Sequence, residues 1–193
     1  MRYCANSNHK PTTVRQWYLF FCLLLFIPSV FADGIFIRKA DSTLVAGIYR
    51  LDAQIDYRLP SELQEALRNG VTLTLMVEVE VLSPRNYWFD ESVTSLTQHY
   101  QLSFHALSQK YQLIKSSGQP SIHDNLQSAL QALGKLNDIP MFESDLLQAH
   151  ENYFGRIQAK LDVAKLPMPL LLLSYVVPAW QLHSEWYTWP IQD

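Results

Sequence analysis

The sequence has 193 residues, with 15 Lys and Arg against 18 Asp and Glu for a formal net charge of −3. A mildly acidic chain without a basic run excludes the electrostatic footprint of a nucleic-acid binder, and its length suits one domain with a single sizeable core. Both cysteines, Cys4 and Cys22, lie near the N-terminus, so the rest of the chain offers no disulfide, thiolate nucleophile or cysteine metal ligand.

Arg2, Lys10 and Arg15 precede any acidic residue, and WYLFFCLLLFIPSV then runs apolar from Trp17. This is the layout of a secretory signal. Val30-Phe31-Ala32 supplies the compact residues of a cleavage site, so a cut is expected after Ala32, leaving residues 33–193 as one globular domain in the periplasm. The apolar run falls short of the ~20 residues that span a bilayer. Membrane contact is therefore expected only where this segment is retained. Leu23 after Cys22 is not a lipid-acceptor context.

From Leu51 to Leu59 the odd positions are apolar and the even ones polar, the period of a half-buried strand. LPSELQEALRNG follows as a short helix: Ser61 and Gln64 have capping-box spacing, Leu63 and Leu67 lie one turn apart, and Gly70 marks the stop. Val71 to Val81 alternates again and predicts a strand halted by Ser83-Pro84. HYQLSFHAL and YQLIK read as a hairpin. SIHDNLQSALQALGKL shifts to helical period, with a cap from Ser121 or Asp124. HENYFGRIQAKLDVAKL returns to alternation, Leu170 to Val177 reads as a buried strand, and WQLHSEWYTW as a last one. The expected class is α+β: mainly antiparallel β-sheet, curved or in a two-layer sandwich, with about seven strands and two short helices.

Between two of these strands lies RNYWFDE, residues 85–91, which sets three rings beside an arginine and two carboxylates. Alternation puts Tyr87 and Phe89 on one side and Asn86, Trp88 and Asp90 on the other. The reading favoured here is an aromatic clamp with Trp88 buried; the other is a recognition groove. Arg85, Tyr87, Trp88, Asp90 and Trp186 form the candidate interaction surface, with Arg85 stacked on a ring or paired with Asp90. Composition does not separate core rings from interface anchors.

Catalytic and metal constellations are sparse. His99 and His105 share a strand face but stand about 20 Å apart at ~3.3 Å per residue. His183 and Glu185 could pair as base and orienter, yet no serine elbow accompanies them. Asp90 and Glu91 point to opposite faces of an extended chain. Phosphate-loop, H-E-x-x-H and calcium-loop patterns do not occur, so no cofactor is expected and catalysis is the less favoured reading.

LPSELQEALRNGVTL, PRNYWFDE, LSFHALSQKYQL, LQSALQAL, KLDVAKLPMPL and WQLHSEWYTW occur in an order and spacing that resembles a bacterial secreted family, domain of unknown function number 4390. The resemblance covers nearly all of residues 33–193. It implies export and a single domain, and brings no established activity or catalytic residue. The family pattern favours an arginine followed by tryptophans where this chain reads Arg85-Asn86-Tyr87-Trp88, so a stacking position is altered here. Proximity of such genes to those of envelope sensor kinases implies a signalling role, with a membrane sensor as partner. The expectation is an exported, non-catalytic cell-envelope domain that binds another protein as a signalling accessory. The alternative is a carrier of a small apolar ligand in a β-sheet cavity.

Overall fold

The computed structural model describes residues 33–85, 89–148 and 152–191. Among these, nine strands run as β1 (Gly34–Val45), β2 (Ile48–Arg58), β3 (Leu73–Ser83), β4 (Glu91–His105), β5 (Lys110–Ile114), β6 (Pro120–His123), β7 (Lys135–Glu143), β8 (Tyr153–Leu161) and β9 (Tyr187–Ile191). Three α-helices accompany them: α1 (Ser61–Arg68), α2 (Leu126–Leu133) and α3 (Met168–Ser174). One sheet has the order β1-β2-β7 and the other β6-β5-β4-β3-β8-β9, with every pairing antiparallel. The α+β class and antiparallel pairing agree with the sequence. Two more strands and one more helix are present than expected.

Strand alternation decides which faces meet. On β2 the buried positions include Leu51, Ala53, Ile55 and Tyr57, and on β3 they include Leu73, Leu75, Val77 and Val79. These join Tyr100 and Leu102 of β4, Leu113 of β5, and Ile157, Ala159 and Leu161 of β8 in one apolar cluster shared by both sheets. A second cluster of Tyr49, Val81, Phe142 and Tyr153 fills one end, where the Tyr49 and Phe142 rings stack at 4.9 Å. At the opposite end lie Gly34, which pairs with Arg58, Leu73, and the far end of β8.

Two glycines allow close approaches. A Cβ on Gly134 would stand 1.9 Å from the Ile55 carbonyl oxygen, because α2 ends where the Ile55 N–H donates to the Gly134 carbonyl at 2.8 Å. α2 thereby carries the chain from the edge strand β6 of the large sheet to β7 of the small one. Gly155 of β8 lies under the Trp189 indole, whose Cζ2 would sit 2.3 Å from an added Cβ. Trp189 Nε1 in turn donates to Ser42 Oγ of β1 at 3.0 Å, tying the two sheets on the side away from α2.

The helix termini depart from the expected caps. Ser61 lies inside α1, whose N-cap is Pro60 with no side-chain cap bond; Gln64 Nε2 instead donates to the Leu59 carbonyl. The stop is as expected: Gly70 has φ of +85°, and the Val71 N–H closes on the Ala66 carbonyl. On α2 the cap is Asn125, which accepts from the Ser128 N–H at 2.8 Å, while Ser121 belongs to β6.

The largest departure is at residues 170–177. The expected buried strand is helix α3, with Pro169 in its first turn. Proline there has a helix-compatible φ and lacks an N–H that would have no partner anyway, and four consecutive leucines carry good helix propensity without β-branching. Only Ser174 of the helix is buried. Its apolar side chains, Met168, Leu172 and Leu173, and the following Tyr175 and Val176 are exposed.

Candidate interaction surfaces

The first surface is the β3–β4 corner. Pro84 cannot donate to the ladder, so β3 stops at Ser83, opposite Glu91 at the start of β4. Arg85 Nη2 donates to Glu91 Oε2, one residue beyond the expected partner Asp90. Phe89 is 97% exposed, so this ring of the motif takes no part in a buried clamp. Tyr87 and Trp88, on which the clamp expectation rests, lie outside the described residues. Asp90 is exposed beside Phe89. The result is an aromatic ring in solvent, close in sequence to Arg85, Asp90 and Glu91.

Trp186 is not brought to this corner. It lies on the outer face of the large sheet, with the Arg156 guanidinium 4.5 Å from its ring centroid. Arg156 also donates twice to Glu80 Oε2, at 2.9 Å and 2.6 Å, and Lys160 bonds Glu78 at 2.8 Å. The ladder explains these pairs: Glu80 faces Arg156 directly and Glu78 lies diagonal to Lys160. Partly exposed pairs of this kind contribute up to about 1 kcal/mol each. They make the outer face a fixed pattern of opposite charges.

The histidines act separately. His99 Nε2 lies 3.7 Å from Asp162 Oδ2, whereas His105 Nε2 contacts Gln112 Oε1 at 2.7 Å. His183 Nδ1 donates to the Gln181 carbonyl. Among the described residues no three His, Cys, Asp or Glu side chains converge as metal ligands. Beside His99 an open polar depression of about 490 Å³ is lined by Thr97, Gln98, Gln101, Lys115 and Ser116. Ser116 Oγ accepts from the His99 N–H and donates to its carbonyl, fixing the depression's floor.

Between the sheets the picture is different. The crevice bordered by Val79, Val81, Leu96, Met141 and Phe142 is too narrow to admit a water molecule. Two phenols are buried in the core cluster. Burial pushes the Tyr100 hydroxyl up to about 12 and raises Tyr57 further, through desolvation first and Tyr100 second. Among the described residues the Tyr57 hydroxyl finds no hydrogen-bond partner.

The sequence profile of the family described as a domain of unknown function (DUF4390) matches residues 32–190. The chain belongs to this family. No curated protein matches it, and no solved structure does. The DUF4390 match takes in β1 to β8, β9 up to residue 190, the β3–β4 corner and α3, so both exposed apolar features belong to the family domain. The sequence signal that would have found α3 was the Leu-rich, proline-opened composition of residues 167–174; its exposure has no signature in periodicity.

Proposed function

We propose that this DUF4390 domain is an exported, non-catalytic cell-envelope module that binds another protein at the β3–β4 corner. The observation that carries the reading is Phe89, a ring 97% exposed, next to Asp90 and to Glu91, which is paired with Arg85. An aromatic anchor with a charged rim is the composition of a recognition patch. The narrow crevice at Val79, Val81, Met141 and Phe142 favours surface recognition over carriage of a small apolar ligand. The apolar run Trp17–Val30 behind Arg2, Lys10 and Arg15 supports export, and an envelope sensor kinase is the partner class that fits a signalling accessory.

A photoreactive residue at position 89 in whole cells tests this, with one at Gln101 as control. The expected result is a discrete crosslink from 89 alone, abolished by Arg85→Ala. Arg85→Ala itself should cost folding less than about 1 kcal/mol, as for an exposed ion pair. Equal crosslinking from both positions, or none from 89, overturns the proposal. N-terminal sequencing of periplasmic protein should begin at Asp33; Met1 retained on membrane-bound protein would refute cleavage.

A further inference from the structure

The end of the domain opposite the corner carries a long segment without charged residues. Leu166 to Leu182 contains no Lys, Arg, Asp, Glu or His. Its base is held by buried Leu166, Ser174 and Trp180, while Met168, Leu172, Tyr175 and Val176 are 64–74% exposed. Leu107, fully exposed, stands at the tip of the β4–β5 turn at the same end. β4 and β8 flank β3, so these two protrusions rise from strands only about 10 Å apart. The chain also enters the fold here: Gly34 faces Arg58, just before α1, and α1 packs against Pro178–Trp180. The apolar residues 17–30 precede this point in the sequence.

The geometry points to a phospholipid bilayer as the occupant, with α3 and the Leu107 turn dipping into the headgroup boundary. The segment Leu166–Leu182 offers no charge for a protein partner to pair with, and the chain enters the fold at this end behind the apolar residues 17–30. Aliphatic side chains need no directional partner to enter a lipid boundary, and Tyr175 suits the level where apolar and polar regions meet. A seven-residue helix opened by proline is a protruding tip; no described helix is long and apolar enough to cross a membrane. Lys110 beside the Leu107 turn is paired with Asp124, and Arg58, Arg68 and Lys165 at this end are interspersed with Glu62, Glu65 and Asp162, so the described residues offer no basic cluster for anionic lipids. Binding is therefore to neutral phospholipid and insensitive to salt. The corner carrying Phe89 then faces away from the membrane.

The test uses protein expressed from the whole sequence, Cys4 and Cys22 replaced by Ser, with an environment-sensitive dye on Val176→Cys, Leu107→Cys or Phe89→Cys. On adding vesicles of phosphatidylcholine and phosphatidylethanolamine, dyes at 176 and 107 should shift to the blue and be quenched by nitroxide lipids, while the dye at 89 stays unchanged. The shift should persist in about 0.5 M NaCl, several times the ionic strength that screens surface charge. Leu172→Asp, introduced behind the label at 176, should lower partitioning about tenfold or more, with an unchanged melting temperature showing that the fold is intact. A silent dye at 176 overturns the inference, as does an equal response at 89 or loss of the shift in salt. A shift that follows protein concentration without lipid would assign the face to a second copy instead.

Discussion

Gly155→Ala probes the contact that closes the fold on the side away from α2. The added Cβ would lie 2.3 Å from Cζ2 and 2.5 Å from Cε2 of Trp189, against an ordinary carbon contact of about 3.5–4.0 Å. The indole must retreat by about 1 Å or more. Trp189 is 4% exposed, and its Nε1 bond to Ser42 is already 3.0 Å long, so retreat breaks that bond. Overpacking of this kind costs about 1–3 kcal/mol and a lost hydrogen bond about 1 kcal/mol. The smaller unfolded-state entropy of alanine gives back about 0.4–1 kcal/mol. The net expectation is a loss of about 2–3 kcal/mol, a large part of a typical 5–15 kcal/mol. Urea unfolding measures it, and a Trp189→Ala background provides the control. There Gly155→Ala should cost little, because the colliding ring is gone, giving a coupling energy of about 2 kcal/mol. An equal loss in both backgrounds would show that the indole is not the reason for the glycine.

Gly134→Ala should destabilise more, by about 3 kcal/mol or above, since the obstacle is the Ile55 backbone carbonyl at 1.9 Å and not a movable ring; thermal melting against Gly118→Ala, where nothing lies within 4 Å, separates crowding from backbone strain. Tyr100 and Tyr57 both titrate higher folded than unfolded. Above the unfolded value near 10 the unfolded chain releases protons that the folded chain keeps, so stability is full below pH ~10 and falls by about 1.4 kcal/mol per pH unit per phenol as pH rises towards 12. Denaturant unfolding at pH 9 and pH 11 should show this loss in the wild type and a smaller one in Tyr57→Phe; identical pH slopes would refute it.

The elements legible in the sequence were those whose burial keeps one phase. β8 alternates throughout and β3 from Leu75 to Val81, both inside the large sheet, and Leu63 and Leu67 mark α1. β1 changes phase at the bulge between Ile37 and Lys39, so Ile35 and Ala40 are both buried although their spacing is odd. β7 contains Pro140 and shifts register twice against β2, and β6 has four residues beginning with proline; none offers a period to count. Residues 170–177 misled because an unbroken apolar run states hydrophobicity without stating what covers it. At the corner, Arg85 and Asp90 were legible as neighbours, but the choice of Glu91 as partner depends on where β4 begins, a property of the ladder opposite Ser83. Trp186 was placed there by composition alone, whereas pairing across β8 and β9 sets it over Arg156.

The small sheet takes its third strand from residues 135–143, after β3 to β6 have been laid down in the large one. Neither sheet is made from a contiguous piece of chain. β1 and β2 can form a local hairpin early, since two residues, Ala46 and Gly47, both at positive φ, join them. The outer edge of β2 stays open until β7 arrives, and that closure spans most of the large sheet's assembly. Pairings so distant in sequence are slow to form; β7 completes the small sheet, whereas the large sheet is completed only by β8 and β9, still later in the chain.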